Sequence, residues 1–151
     1  MAKVKFTVLR VPTRADPDKD YSTTFVLHIE EGVDVNPAFQ FTNDGSNPGV
    51  VTFCGIRKPP GSSHTIYWSR KMRRCAQVSQ SCLMRFEERG RYKLIFRAGY
   101  WDAVGKRYIW TDERTIKVAV GVAPPWVLWG LAALSVASLA MALYMKKRGK
   151  E

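Results

Sequence analysis

The chain predicts an all-β fold, an antiparallel sandwich of two sheets, followed by a single C-terminal transmembrane helix. Period-two alternation runs through most of the first 120 residues, and turn clusters punctuate it at short intervals. Beyond them lies one uninterrupted apolar stretch, Trp126 to Met145, closed by Lys146-Lys147-Arg148-Gly149-Lys150. Alternation of this kind suits strands that bury one face and wet the other, since successive side chains point to opposite sides.

Taken in order, Val4, Phe6 and Val8 alternate with Lys3, Lys5 and Thr7, and Tyr21 to Ile29 alternates throughout. Phe39 and Phe41 make a short run, followed by Val50 to Ile56, Thr65 to Trp68 and Ser81 to Phe86. Tyr92, Leu94, Phe96 and Ala98 alternate with Arg91, Lys93, Ile95 and Arg97, and Ile116, Val118 and Val120 mark the last strand. Between them fall Pro12 to Asp20, Asn43 to Gly49, Pro59 to Ser63 and Asp102 to Lys106, rich in the residues that turns require. Seven or eight short strands so spaced predict a two-sheet sandwich. No segment before Pro124 has a helical period.

The apolar stretch is 20 residues long. At about 1.5 Å rise per residue it matches a hydrocarbon core of about 30 Å. Trp126 and Trp129 lie at one end and Tyr144 at the other, where amphipathic rings favour the headgroup level. Pro125 suits the first turn of a helix, where a missing N–H costs nothing. The expected organisation is a domain over 1–121, a Pro-rich linker over 122–125, a span over 126–145 and a basic tail over 146–151. Within the span, Gly130, Ala133, Ala137 and Ala140 fall on one helical face, a face of small residues that permits close helix approach in lipid. No ionisable residue lies inside it, which argues against an ion pathway.

The chain carries 24 Lys+Arg against 13 Asp+Glu. Setting aside the tail leaves 20 cations and 12 anions upstream, a net +8. From Arg14 to Ile56 there are two cations and seven anions, whereas Arg57 to Arg97 holds eleven cations and only Glu87 and Glu88. A domain so divided could associate head to tail, lay its basic half on an acidic surface, or simply carry a solvated, Arg-rich exterior, and which holds depends on whether the fold gathers these cations onto one face. The densest run is Tyr67-Trp68-Ser69-Arg70-Lys71-Met72-Arg73-Arg74-Cys75. Trp68, Arg70, Lys71, Arg73, Arg74 and the hairpin residue Trp101 form the candidate interaction patch, suited to an acidic protein face or anionic headgroups. The competing reading is a solvated basic loop with Trp68 in the core. Tyr108 and Trp110 return beside Trp101, and aromatic anchors at a turn are frequent at interfaces. Nucleic acid would use the same groups, but membrane tethering and the lack of a nucleic-acid module count against it.

Enzymatic constellations are thin. His28 and His64 are the only histidines, and each reads as a solvated side chain. A metal site from Cys54, Cys75, Cys82 and His64 lacks a Cys-x-x-Cys pair to nucleate it. Neighbouring carboxylates such as Glu87 and Glu88 point to opposite faces of a strand. The chain is therefore read as a non-enzyme without cofactor or metal; the alternative is a membrane-tethered enzyme or redox or metal protein using Cys54, Cys75 and Cys82. Cys75 and Cys82 enclose a short polar loop and are the candidate disulfide, leaving Cys54 as a buried small hydrophobe among Val50, Val51, Phe53 and Ile56.

Topology carries two opposing signals. The basic tail favours a cytoplasmic C-terminus and hence a domain outside. The absence of a cleavable signal after Met1 favours a domain made in the cytosol. The balance leans to the domain outside.

The segment Glu88-Arg89-Gly90-Arg91-Tyr92-Lys93-Leu94 resembles the Asp-x-Gly-x-Tyr-x-Cys pattern that opens the penultimate strand of immunoglobulin-like domains. The resemblance implies an Ig-like β-sandwich in which Tyr92 folds back and hydrogen-bonds its own corner. Leu94 stands where that pattern has Cys, so the inter-sheet disulfide of antibody domains is not implied. Gly90 to Val120 is also similar to the end of prokaryotic and archaeal surface modules of the fibronectin III or CARDB type. The chain is thus read as a single-pass membrane protein whose sandwich binds neighbouring subunits of a membrane, envelope or virion assembly, with the lipid bilayer and those subunits as its partners.

Overall fold

Ten strands arise from the alternating runs in the computed structural model, which describes residues 2–122. They are β1 (Lys3–Arg10), β2 (Arg14–Ala15), β3 (Asp20–Glu31), β4 (Asn36–Asn43), β5 (Val51–Phe53), β6 (Ile56–Lys58), β7 (Ser63–Tyr67), β8 (Gln77–Phe86), β9 (Gly90–Asp102) and β10 (Arg107–Val120). The first sheet has the order β1-β3-β8-β5-β6 and the second β2-β10-β9-β4-β7. All pairs are antiparallel except β2 with β10, where Arg14 and Ala15 run parallel to Ala119 and Val120. The first strand region therefore contributes to both sheets, the layout of an Ig-like β-sandwich.

The inward faces make one core. Phe25, Leu27 and Ile29 of β3 and Phe39 and Phe41 of β4 are buried, as are Met84 and Phe86 of β8 and Leu94 and Phe96 of β9. Phe25 and Phe39 stack across the two sheets with ring centroids 3.9 Å apart and planes 5° from parallel. Burial of each such ring contributes roughly 1.5–3 kcal/mol, so the facing Phe pairs dominate what holds the sheets together.

Three local features depart from the sequence expectation. Val50 to Ile56 is not one strand but a hairpin, β5 and β6, turning at Cys54 and Gly55. Both turn residues have positive φ, 52° and 78°, the geometry that matches the twist of a two-residue hairpin. The Pro12 to Asp20 turn cluster contains β2. The third is a β-bulge in β10 between Trp110 and Asp112. There the Val4 N–H donates to Thr111 Oγ1 at 2.9 Å and the Phe6 N–H donates to Asp112 Oδ2 at 3.0 Å. The exposed edge of β1 is thereby capped by side chains of the other sheet, which removes donors that would otherwise template pairing.

The tyrosine corner forms. Tyr92 is 2% exposed and its hydroxyl donates to the Glu88 carbonyl at 2.7 Å. Gly90 has φ 143°, and a Cβ there would sit 2.7 Å from Pro48 Cγ, so no other residue fits this turn without strain.

Among the described residues there is no helix, and none long and apolar enough to cross a membrane. The predicted span 126–145, with Gly130, Ala133, Ala137 and Ala140, lies outside the described residues.

Candidate functional site

Strand registers divide the sandwich into two ends. At one end lie the β3–β4 turn, the β7–β8 loop and the β9–β10 hairpin, because Asn36 opposes Trp101 and Val35 bridges Met72. At the other lie the β4–β5 loop, the β8–β9 turn and Gly121, where the sandwich ends after β10. The chain leaves the domain at the end opposite the basic loop.

That loop is held at several points along its length. The Trp68 N–H donates to Pro37 O at 3.1 Å, Val35 and Met72 exchange both backbone bonds at 3.1 and 2.7 Å, and the Cys75 N–H donates to Ile29 O at 2.8 Å. Met72 is half-buried and packs against the core. Anchoring at Trp68, Met72 and Cys75, every third or fourth residue, leaves the intervening cationic side chains pointing outward. Arg70, Lys71, Arg73 and Arg74 are all exposed and line an open groove of about 500 Å³ together with Met72, Cys75 and Ala76. No carboxylate pairs with any of the four among the described residues, although Glu31 and Asp34 sit on the neighbouring turn. The loop is a pinned block of positive charge without a direct ion-pair partner among the described residues.

Trp68 and Trp101 separate. Trp68 is half-buried and meets Phe25 edge-on at 6.3 Å, so it packs onto the core rather than lining the patch. Trp101 lies on the outer face of the second sheet with Tyr67, Tyr108 and Trp110. Its centroid is 6.5 Å from Tyr67 and 4.9 Å from Tyr108, and Tyr108 stacks on Trp110 at 5.4 Å. The floor beneath these rings is made by Ala38 and Gly99, both opposite in register to cluster residues. A Cβ on Gly99 would come 2.0 Å from the Ile109 carbonyl oxygen, which is why glycine stands there. Tyr67 remains 42% exposed. The cluster adjoins the basic loop, since Tyr67 and Trp68 are consecutive.

The disulfide expectation is corrected. Cys54 bonds Cys82, with Cα atoms 4.8 Å apart, and Cys75 is free and exposed. Six residues of nearly extended chain, mostly strand β8, separate Cys75 from Cys82, a span of about 20 Å, whereas a disulfide needs Cα atoms within about 7 Å. Cys54 is brought to Cys82 by the β5–β6 turn, whose N–H at Cys54 donates to Leu83 O at 3.1 Å. A centre using Cys54, Cys75 and Cys82 together is not assembled, because two are bonded to each other and the third lies at the far end of β8. Among the described residues no group of three or more His, Cys, Asp or Glu converges on a metal position. His64 is half-buried on β7; burial, and then the Lys58 charge, lower its pKa from the usual histidine value.

The eleven cations from Arg57 to Arg97 are not gathered onto one face. Arg57 pairs with Glu87 at 2.8 Å and Arg97 with Glu113 at 3.2 Å. Arg91 and Lys93 project outward from β9, far from the loop. Sequence reasoning did not single out this second group, whose partners Arg14 and Lys117 depend on strand register.

No protein-family model and no curated protein sequence matches the chain. Among solved structures it is similar to the CARDB domain of a Pyrococcus furiosus protein, at 11% identity over 79% of this chain and 89% of that one, with TM-score 0.43. It is similar to a cohesin module from a Clostridium perfringens family 33 glycoside hydrolase at 10% identity, over 79% and 96% of the two chains, with TM-score 0.45. A PKD domain of an M14-like peptidase from a Thermoplasmatales archaeon matches at 12% identity, over 80% and 92%, with TM-score 0.37. The Ig-like assignment stands on the strand order, the parallel β2–β10 pair and the Tyr92 corner.

Proposed function

We propose that the chain is a single-pass membrane protein of structural or interaction type, not an enzyme, whose Ig-like domain docks an acidic face of a neighbouring subunit in a membrane, envelope or virion assembly. The carrying observation is the basic loop: Arg70, Lys71, Arg73 and Arg74 exposed, without an ion-pair partner among the described residues, and pinned by backbone bonds to Ile29, Val35 and Pro37. Four like charges in five residues repel one another, so their pre-ordered display has an energetic cost that an opposing acidic surface offsets. The adjoining rings of Tyr67 and Trp101 supply apolar anchors beside the charge, the composition expected of an interface centre. The Cys54–Cys82 disulfide supports a domain on the oxidising, outer side.

The test replaces Arg70, Lys71, Arg73 and Arg74 by Ser in the full chain and measures incorporation into its native membrane assembly at low and moderate salt. Incorporation should fall, and wild-type incorporation should weaken with salt, because screening acts over about 8 Å at physiological ionic strength. Unchanged incorporation at both salts, with the fold intact, sinks the reading.

A further inference from the structure

Where the chain leaves the sandwich, β2, β9 and β10 bring together four cations that lie far apart in sequence. Arg14 and Arg91 both oppose Ala119, and one row further up Lys93 directly opposes Lys117. All four are exposed and line a groove of about 490 Å³ on the second sheet, beside Ser46 and Asn47. Among the described residues no carboxylate lines the groove, and none of the four forms an ion pair. The nearby Asp44 is engaged mainly elsewhere: its carboxylate accepts from the Ser46 hydroxyl and from the backbone N–H of Ser46 at 3.1 Å, and these bonds, with a smaller attraction from Lys93, lower its pKa from the usual aspartate value. The Asn47 side chain pins Lys93 in place from both backbone sides, accepting its N–H at 2.7 Å and donating to its carbonyl at 2.8 Å.

Like charges directly across a strand pair destabilise a sheet. Lys93 opposite Lys117, flanked by Arg14 and Arg91, is therefore a cost that the fold alone does not explain. Phosphate oxygens between these side chains would convert the repulsion into charge-assisted hydrogen bonds, with the guanidinium groups offering paired donors. The place of the groove indicates the source of phosphate. The Arg14–Ala119–Arg91 row is two residues from Gly121, about 7 Å along a strand. Only residues 122–125 then precede the apolar segment at Trp126, a tether of at most about 17 Å when fully extended.

We infer that Arg14, Arg91, Lys93 and Lys117 form a binding groove for anionic phospholipid headgroups. This rests on the reading of 126–145 as a membrane span, and the experiment separates the two. The full chain is incorporated into nanodiscs of pure phosphatidylcholine, or of phosphatidylcholine with about one-third phosphatidylserine. An amine-acylating reagent then measures the reactivity of Lys93 and Lys117, with Lys71 and Lys106 at the opposite end as controls.

In anionic discs Lys93 and Lys117 should react about five-fold more slowly than in neutral ones, the effect expected for one cation at an anionic surface. Molar salt should abolish the difference, and the controls should not change. Equal reactivity in the two discs, or equal protection of Lys71 and Lys106, overturns the groove. Protection by inorganic phosphate in neutral discs without any by anionic lipid reassigns it to a soluble anion and overturns the membrane source. A chain that fails to enter discs of either composition removes the span and the groove's source together. Lys93→Gln with Lys117→Gln relieves the cross-strand repulsion, so this variant should fold at least as stably as wild type. Scored by dicarbonyl modification of the Arg14 and Arg91 guanidinium groups, it should show a smaller lipid-dependent difference than wild type; an undiminished difference would also overturn the inference.

Discussion

Replacing Tyr92 by Phe removes one oxygen from the corner that joins β8 to β9 and leaves the ring in place. The ring keeps its edge-on packing on Phe86, 5.0 Å away, so no cavity opens. What is lost is the 2.7 Å bond to the Glu88 carbonyl, in surroundings where Tyr92 is 2% exposed. A hydrogen bond of this kind contributes about 1 kcal/mol net, and an acceptor left unpaired adds up to about 1 kcal/mol more. A loss of about 1–2 kcal/mol should lower Tm by about 4–8 °C in a domain of this size. The assay is thermal unfolding of a chain ending at Val122, followed by far-ultraviolet circular dichroism, with Tyr21→Phe alongside. Tyr21 also bonds backbone, accepting the Asp16 N–H at 2.6 Å, but in an exposed setting where water replaces it, so its loss should be under about 0.5 kcal/mol. Burial, with the Glu88 and Glu87 carboxylates behind it, raises the Tyr92 pKa above the ordinary tyrosine value. The folded state then holds this proton more tightly than the unfolded chain. The resulting stability is complete below about pH 10 and is lost as pH climbs through the folded pKa. The Phe variant should lack that alkaline loss. A Tyr92→Phe domain no less stable than Tyr21→Phe, with the alkaline loss unchanged, would refute the corner's role.

Further outcomes follow from the same geometry. Peptide mapping without reductant should recover Cys54 joined to Cys82 and Cys75 open to maleimide; reduction of this bridge, which closes 28 residues, should cost about 2–4 kcal/mol. His64, held below the usual histidine pKa by burial and then Lys58, resists protonation when folded. Its contribution is present above about pH 6.5 and is lost as pH falls, because the unfolded chain takes up the proton first. His64→Gln should flatten stability between pH 7 and about pH 5, measured by urea midpoints, and an unchanged slope there would contradict the burial of His64.

The sandwich was legible in the sequence because burial of one sheet face imposes period two on the side chains, and turns demand Gly, Pro, Asn and Asp wherever the chain is. Tyr92 was legible for the same reason: a local turn, a buried ring and a short reach to its own corner need no distant partner. The density of Arg70 to Arg74 could also be read directly. Everything that depends on register could not. The Cys54–Cys82 bond requires that the β5–β6 turn fall beside the middle of β8, so the sequence-near pair Cys75 and Cys82 was the natural and mistaken choice. β2 was hidden in a turn cluster, since a two-residue parallel strand carries no period of its own. The groove of Arg14, Arg91, Lys93 and Lys117 exists only because β10 lies between β2 and β9 in one register. A slip of one residue would send its two lysines to opposite faces. Composition and periodicity decide which side chains are buried, because solvation acts on each residue separately; tertiary pairing alone decides which exposed charges become neighbours.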